Sequence, residues 1–194
     1  VIQFIGFARS KLTVEDIKKN AHAFSKVKEE ENDKFSEFWK LNHYISGNYE
    51  QKEEFELLNT EIAKFENEDG GNRIFYLALP PSVYEIVATN LRNCCMACKG
   101  WTRIIIEKPF GKDLMSSCTL SRYLASLFHE DQIYRIDHYL GKEMVQNMMI
   151  LRFGNRMFSS SWNNDNIACV CITFKEQFGT QGRGGYFDEF GIIR

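Results

Sequence analysis

The chain has 194 residues, a net charge of −2, 44% hydrophobic residues and 14% aromatic residues. That length fits one domain plus part of another, and the apolar content supports a packed core rather than a disordered segment. The near-neutral charge, with no run of Lys and Arg long enough to follow a phosphate backbone, argues against nucleic acid as a main partner, and no apolar stretch reaches the ~20 residues of a membrane-spanning helix.

Residues 1–8 (Val-Ile-Gln-Phe-Ile-Gly-Phe-Ala) predict an apolar strand that ends at Arg9-Ser-Lys. Thr13 follows as an N-cap, with Asp16 at the third helical position, the spacing of a capping box. Residues 14–67 scatter Phe24, Phe35, Phe38, Trp39, Phe55 and Phe65 among Lys and Glu, which predicts two or three amphipathic helices. Gly70-Gly-Asn is a turn. Residues 73–79 (Arg-Ile-Phe-Tyr-Leu-Ala-Leu) are an almost continuous apolar run, as a strand covered on both faces requires. Pro80-Pro81 stops it. Residues 82–98 predict a helix and residues 102–106 (Thr-Arg-Ile-Ile-Ile) a second buried strand, so a parallel pair with a helical crossover is the economical fold. Asp113 caps a further helix to about residue 129.

After Gln132 the pattern changes, and the domain boundary is placed near residues 134–137. A helix over about 142–158 precedes a long strand over 166–176, a glycine-rich loop over 179–185 and the start of a helix at Tyr186. Of the six cysteines, Cys95 and Cys98 form a C-x-x-C with no second pair at zinc spacing, and Cys169 and Cys171 alternate as buried residues on one strand face. Reduced thiols in a cytoplasmic protein, with no metal site, are the expectation. The opening on Val1 and the end on Gly-Ile-Ile-Arg read as an internal segment of a longer polypeptide.

Chemistry concentrates at Asp137, His138, Tyr139 and Lys142, a carboxylate, imidazole, phenol and ammonium within six positions at an expected helix start. Free N–H groups and the positive dipole end hold anions there, so Lys, His and Tyr beside it suit a phosphate ester. Asp137 can orient a histidine base supplied elsewhere. A helix cap with solvated polar side chains accounts for the same residues. Glu107-Lys108-Pro109 follows the carboxyl end of a strand, where open α/β sheets bind ligands. Lys108 can reach a hydroxyl or a phosphate there, and Lys-Pro permits a cis bond; an ordinary strand-ending turn is the plainer reading. Arg9 suits a coenzyme 2′-phosphate or a solvated loop. Glu176 suits sugar hydroxyls or an edge charge, and Arg183 an anion or simple exposure. His22, His43 and His129 read as surface residues.

Five runs together resemble the glucose-6-phosphate dehydrogenase family: Gly6-Phe-Ala-Arg-Ser-Lys-Leu-Thr13, Leu77-Ala-Leu-Pro-Pro-Ser-Val-Tyr84, Ile106-Glu-Lys-Pro-Phe-Gly111, Arg135-Ile-Asp-His-Tyr-Leu-Gly-Lys-Glu143 and Gly182-Arg-Gly-Gly-Tyr-Phe-Asp-Glu-Phe-Gly191. The resemblance implies an α/β fold: residues 1–135 as an NADP-binding Rossmann-like domain lacking its glycine motif, and residues 136–194 as the start of an α+β substrate and dimerisation domain. It implies oxidation of glucose 6-phosphate to the lactone with NADP+, the entry step of the pentose phosphate pathway, by a parent homodimer or homotetramer. By resemblance Arg9 holds the coenzyme 2′-phosphate, Tyr84 and Lys108 line the coenzyme site, and Lys108 also touches substrate. His138, Tyr139 and Lys142 grip the substrate phosphate, Glu176 binds sugar hydroxyls, Asp137 pairs with the catalytic histidine, and Arg183 contacts a second, structural NADP+. The glycine motif is expected before Val1 and the catalytic histidine after Arg194, so the chain alone is expected to be inactive. The endoplasmic-reticulum hexose-6-phosphate relative and a non-catalytic phosphosugar-binding or subunit-association module are the competing readings.

Overall fold

The computed structural model describes residues 2–173, 175 and 179–191. Strand β1 (Phe4–Ala8) leads into α1 (Val14–His22). The Asp16 amide donates to Thr13 Oγ1 at 3.2 Å and the Thr13 amide donates to Asp16 Oδ2 at 2.9 Å. This is the predicted capping box, and it satisfies amides that would otherwise lack partners. Helix α2 (Asn32–Lys40) packs Phe38 on Phe4 of β1, with ring centroids 5.4 Å apart. The chain returns as β2 (Asn42–Ser46), parallel to β1 in register from Phe4↔Asn42 to Ala8↔Ser46. Sequence patterning did not predict β2, because Ile45 is its one β-branched residue; pairing with β1 makes it a strand.

Helix α3 (Lys52–Ala63) precedes the predicted parallel unit: β3 (Arg73–Leu77), α4 (Tyr84–Cys94), β4 (Thr102–Glu107) and α5 (Leu114–Leu127). A third strand, β5 (Ile133–Ile136), extends the sheet in the order β3-β4-β5, all parallel. It lies where the sequence pointed to a domain boundary. Asp113 caps α5 as predicted, accepting from the Ser116 amide at 2.8 Å.

Phe55, Tyr84, Cys95, Ile104, Ile106 and Leu124 are fully buried. They form the centre of one core, drawn from α3, α4, α5 and the inward face of the sheet. Phe7 joins β1 to this core, edge-on to Phe55 at 5.1 Å. On the other sheet face Ile74 and Tyr76 are 56% and 51% exposed. The expectation that β3 is covered on both faces is thus corrected: α4 and α5 lie on the same side, so its residues alternate.

Arg73 is the buried polar exception. Its guanidinium donates to both oxygens of Glu66 (2.8 and 2.7 Å), to Asn59 Oδ1 (2.6 Å) and to the Cys95 carbonyl (2.9 Å). Hydrogen bonding from Arg73 holds the Glu66 carboxyl below its ordinary value. The Cys95 thiol, pushed up to about 12 by burial, bonds the Phe55 carbonyl.

The predicted helix over 142–158 forms in two pieces, α6 (Glu143–Gly154) and α7 (Arg156–Ser159), with Asn155 capping the second. The strand expected over 166–176 does not form among the described residues, and Cys169 and Cys171 are exposed rather than buried. An extended segment needs a neighbouring strand, and none of the five named strands pairs with it. Helix α8 (Gly184–Phe190) opens just before Tyr186. No helix among the described residues is long and apolar enough to cross a membrane.

Candidate functional site

The polar residues singled out from sequence gather at the carboxyl ends of β4 and β5. Tyr84, fully buried at the start of α4, donates its hydroxyl to the Glu107 carbonyl at 3.1 Å. Tyr76 donates to the Glu107 carboxylate. Two phenols therefore fix the residue before Lys108, whose bond to Pro109 is cis. The turn closes at Gly111 (φ +110°), where a Cβ would fall 2.6 Å from the Ser117 amide nitrogen, so only glycine lets the chain enter α5 here.

From this turn Lys108 Nζ donates to Asp137 Oδ2 at 2.9 Å, with side chains 28% and 23% exposed. Asp137 Oδ1 accepts the Tyr139 amide at 3.0 Å. These bonds, the one from Lys108 foremost, hold the Asp137 carboxyl below its ordinary value, so it is an anion at neutral pH. The Tyr139 ring lies between two ammoniums, 4.5 Å from Lys142 Nζ and 5.8 Å from Lys108 Nζ, and the His138 ring is 4.8 Å from it. The expected helix start over this run is corrected: residues 137–142 form successive turns, with the amides of Leu140, Gly141 and Lys142 bonded to the carbonyls of Asp137, His138 and Tyr139. Lys142 is the N-cap of α6. The ammoniums are thus presented by turns, with the positive end of α6 directly behind Lys142.

The remaining predicted residues are spread more widely. Arg9 is exposed beyond β1, its guanidinium 5.4 Å from the Tyr49 ring centre. Tyr84 stands behind the Lys108 turn, inside the core. Burial pushes its phenol up to about 12. Arg183 is exposed at the N-cap of α8. Glu176 lies outside the described residues. Sequence reasoning gave Glu107 no role and missed Tyr76; their signal was the alternation that places both on the outward face, with Tyr76 opposite Ile105 and Glu107 two residues further along β4.

A parallel sheet joined by helical crossovers, with its charged cluster at the strand carboxyl ends, defines an open α/β protein whose ligands are expected at those strand ends. Residues 1–147 match the family profile "Glucose-6-phosphate dehydrogenase, NAD binding domain" and residues 149–194 the profile "Glucose-6-phosphate dehydrogenase, C-terminal domain". The chain belongs to the glucose-6-phosphate dehydrogenase family. It is 62% identical over 192 residues to the glucose-6-phosphate 1-dehydrogenases of Drosophila yakuba and Drosophila melanogaster, covering 99% of this chain and 37% of each relative. The Takifugu rubripes relative is 60% identical over 191 residues. A solved glucose-6-phosphate dehydrogenase in complex with its substrate glucose-6-phosphate superposes with a TM-score of 0.84 at 46% identity, over 99% of this chain and 41% of that one. The Mycobacterium avium enzyme superposes at 0.76 with 29% identity, over 99% and 42%. The chain spans about 37% of the length of the curated relatives it matches.

Proposed function

We propose that these residues are part of an NADP-dependent glucose-6-phosphate dehydrogenase, in which the turns around Asp137–Lys142 bind the sugar phosphate and Lys108 stands at the reacting end. The observation that carries this reading is the Lys108–Asp137 pair, 2.9 Å apart across two strand ends, with the Tyr139 ring and Lys142 alongside. Two ammoniums and an imidazole on one patch suit a phosphate dianion, and a neighbouring carboxylate suits a proton carrier rather than a second phosphate site. A carboxylate has about four acceptor positions. Asp137 therefore retains capacity to accept a histidine N–H after bonding Lys108 and the Tyr139 amide.

The coenzyme assignment is tested by Arg9. It is an exposed cation at a strand end, with an aromatic ring beside it and no ion pair among the described residues, which fits a 2′-phosphate. The coenzyme, when bound, accepts the hydride from the sugar. This chain's residues anchor the phosphate, hold Lys108 at the C1 end and keep Asp137 ionised. The reading includes a cytoplasmic homodimer or homotetramer, with Glu176 toward the sugar hydroxyls and Arg183 toward a second NADP+.

Two expected results follow for the full-length enzyme. Lys142→Ala removes a charge-assisted contact worth about 2 kcal/mol, so KM for glucose 6-phosphate rises roughly thirtyfold, with KM for NADP+ nearly constant. Steady-state kinetics read this directly, and an unchanged sugar KM overturns the phosphate assignment. Arg9→Ala lowers kcat/KM with NADP+ by about thirtyfold or more and leaves the NAD+ value within about threefold. Retained NADP+ preference removes Arg9 from the coenzyme site.

A further inference from the structure

Helix α8 is fastened to the Lys108 turn through a residue that touches neither proposed ligand. The Lys112 ammonium, four positions after Lys108, donates to the Glu189 carboxylate 77 residues away, with side chains 53% and 54% exposed. The same ammonium lies 5.3 Å from the centre of the Phe190 ring. Phe190 stacks on Tyr186 one helical turn earlier, with centroids 4.9 Å apart and planes 29° apart. One cation thus grips α8 by a carboxylate and an aromatic face at once.

Tyr186 shows what this grip positions. Burial raises its phenol, while the positive charges of Arg183 and Lys108 act against that rise. The Tyr84 phenol also feels Tyr186. The Lys112–Glu189 contact joins two sequence-distant segments four residues beyond Lys108.

We propose that Lys112, Glu189 and Phe190 form a clasp that holds α8 against the Lys108 turn, making Lys112 and Glu189 positioning residues for Lys108 and Tyr186. This rests on the functional reading above. An ion pair this exposed adds little to stability. Its removal therefore changes alignment rather than folding, and alignment errors at a reacting centre appear in kcat.

The test uses the full-length enzyme. Glu189→Gln and Lys112→Gln are each expected to lower kcat about tenfold, with KM for glucose 6-phosphate and NADP+ within about twofold of wild type. Lys112→Arg retains kcat, and the charge-swapped pair Lys112→Glu with Glu189→Lys recovers it to within about threefold. Hydrogen exchange supplies a readout apart from turnover: amides 185–191 exchange about tenfold faster in each single variant and regain protection in the swap. Single variants with wild-type kcat, or α8 exchange that does not move, overturn the clasp. A swap that restores neither property also overturns it. If the wild-type enzyme shows no turnover of glucose 6-phosphate with NADP+, the functional reading fails while the exchange data still decide the clasp.

Discussion

Lys108→Ala is expected to lower kcat by roughly two to three orders of magnitude, the usual effect of deleting one preorganised charge at a reacting centre. In the proposed reaction, negative charge grows on the C1 oxygen as its hydroxyl loses its proton. On that proposal Lys108 is the ammonium that meets it. Its position is set from both sides, by Asp137 at 2.9 Å and by the Tyr84 and Tyr76 hydroxyls on Glu107. The pair is about one quarter exposed, so the substitution leaves stability within about 1 kcal/mol. Lys108→Arg does not rescue, since a planar guanidinium cannot take the same point position. NADPH formation at saturating substrates, read beside a thermal melt, separates the two quantities. A kcat within threefold of wild type would refute the role.

Arg73→Met is expected to destabilise the fold by about 3–5 kcal/mol, because it strands a largely buried carboxylate. The Arg73 side chain is 4% exposed and that of Glu66 18%, and four guanidinium bonds are lost together. Urea unfolding measures the loss, and Arg73→Met combined with Glu66→Gln recovers part of it. The pH dependence has a definite sign. Glu66 has a lowered pKa in the folded state, so its contribution is complete above its ordinary 4.5 and is lost as pH falls below that value. Wild-type stability therefore declines on acidification in this window, and Arg73→Met flattens the decline.

The elements with local signals were legible. The Thr13 and Asp113 caps, the β3-α4-β4-α5 unit and the start of α8 all depend on residues three to five positions apart or on an unbroken apolar run. β2 and β5 were not legible, because each is short and is a strand only by pairing with a distant partner. The segment over 166–176 shows the converse: a strand-like pattern without a neighbour stays irregular among its described residues. In the site, the grouping of Lys108 with Asp137, Tyr139 and Lys142 came only through the family resemblance, because β5, which sets the Asp137 run beside the β4 turn, had no local signal. The turn geometry of residues 137–142 did not, since turns and a helix start share the same residue types. Arg73 heads an apolar strand and carries no local signal of its partners; its bonds go to Glu66 and Asn59, which arrive from elsewhere in the chain. The Lys112–Glu189 contact spans too much sequence for any periodicity to carry it.

The buried Tyr84 phenol has a consequence for pH–rate profiles. Held up to about 12, it keeps its proton, and its bond to the Glu107 carbonyl, throughout the range in which enzymes are assayed. The seat of Lys108 is thus insulated from alkali. A basic limb in the activity curve therefore belongs to a group other than Tyr84, and Tyr84→Phe would shift the height of such a curve without moving its inflections.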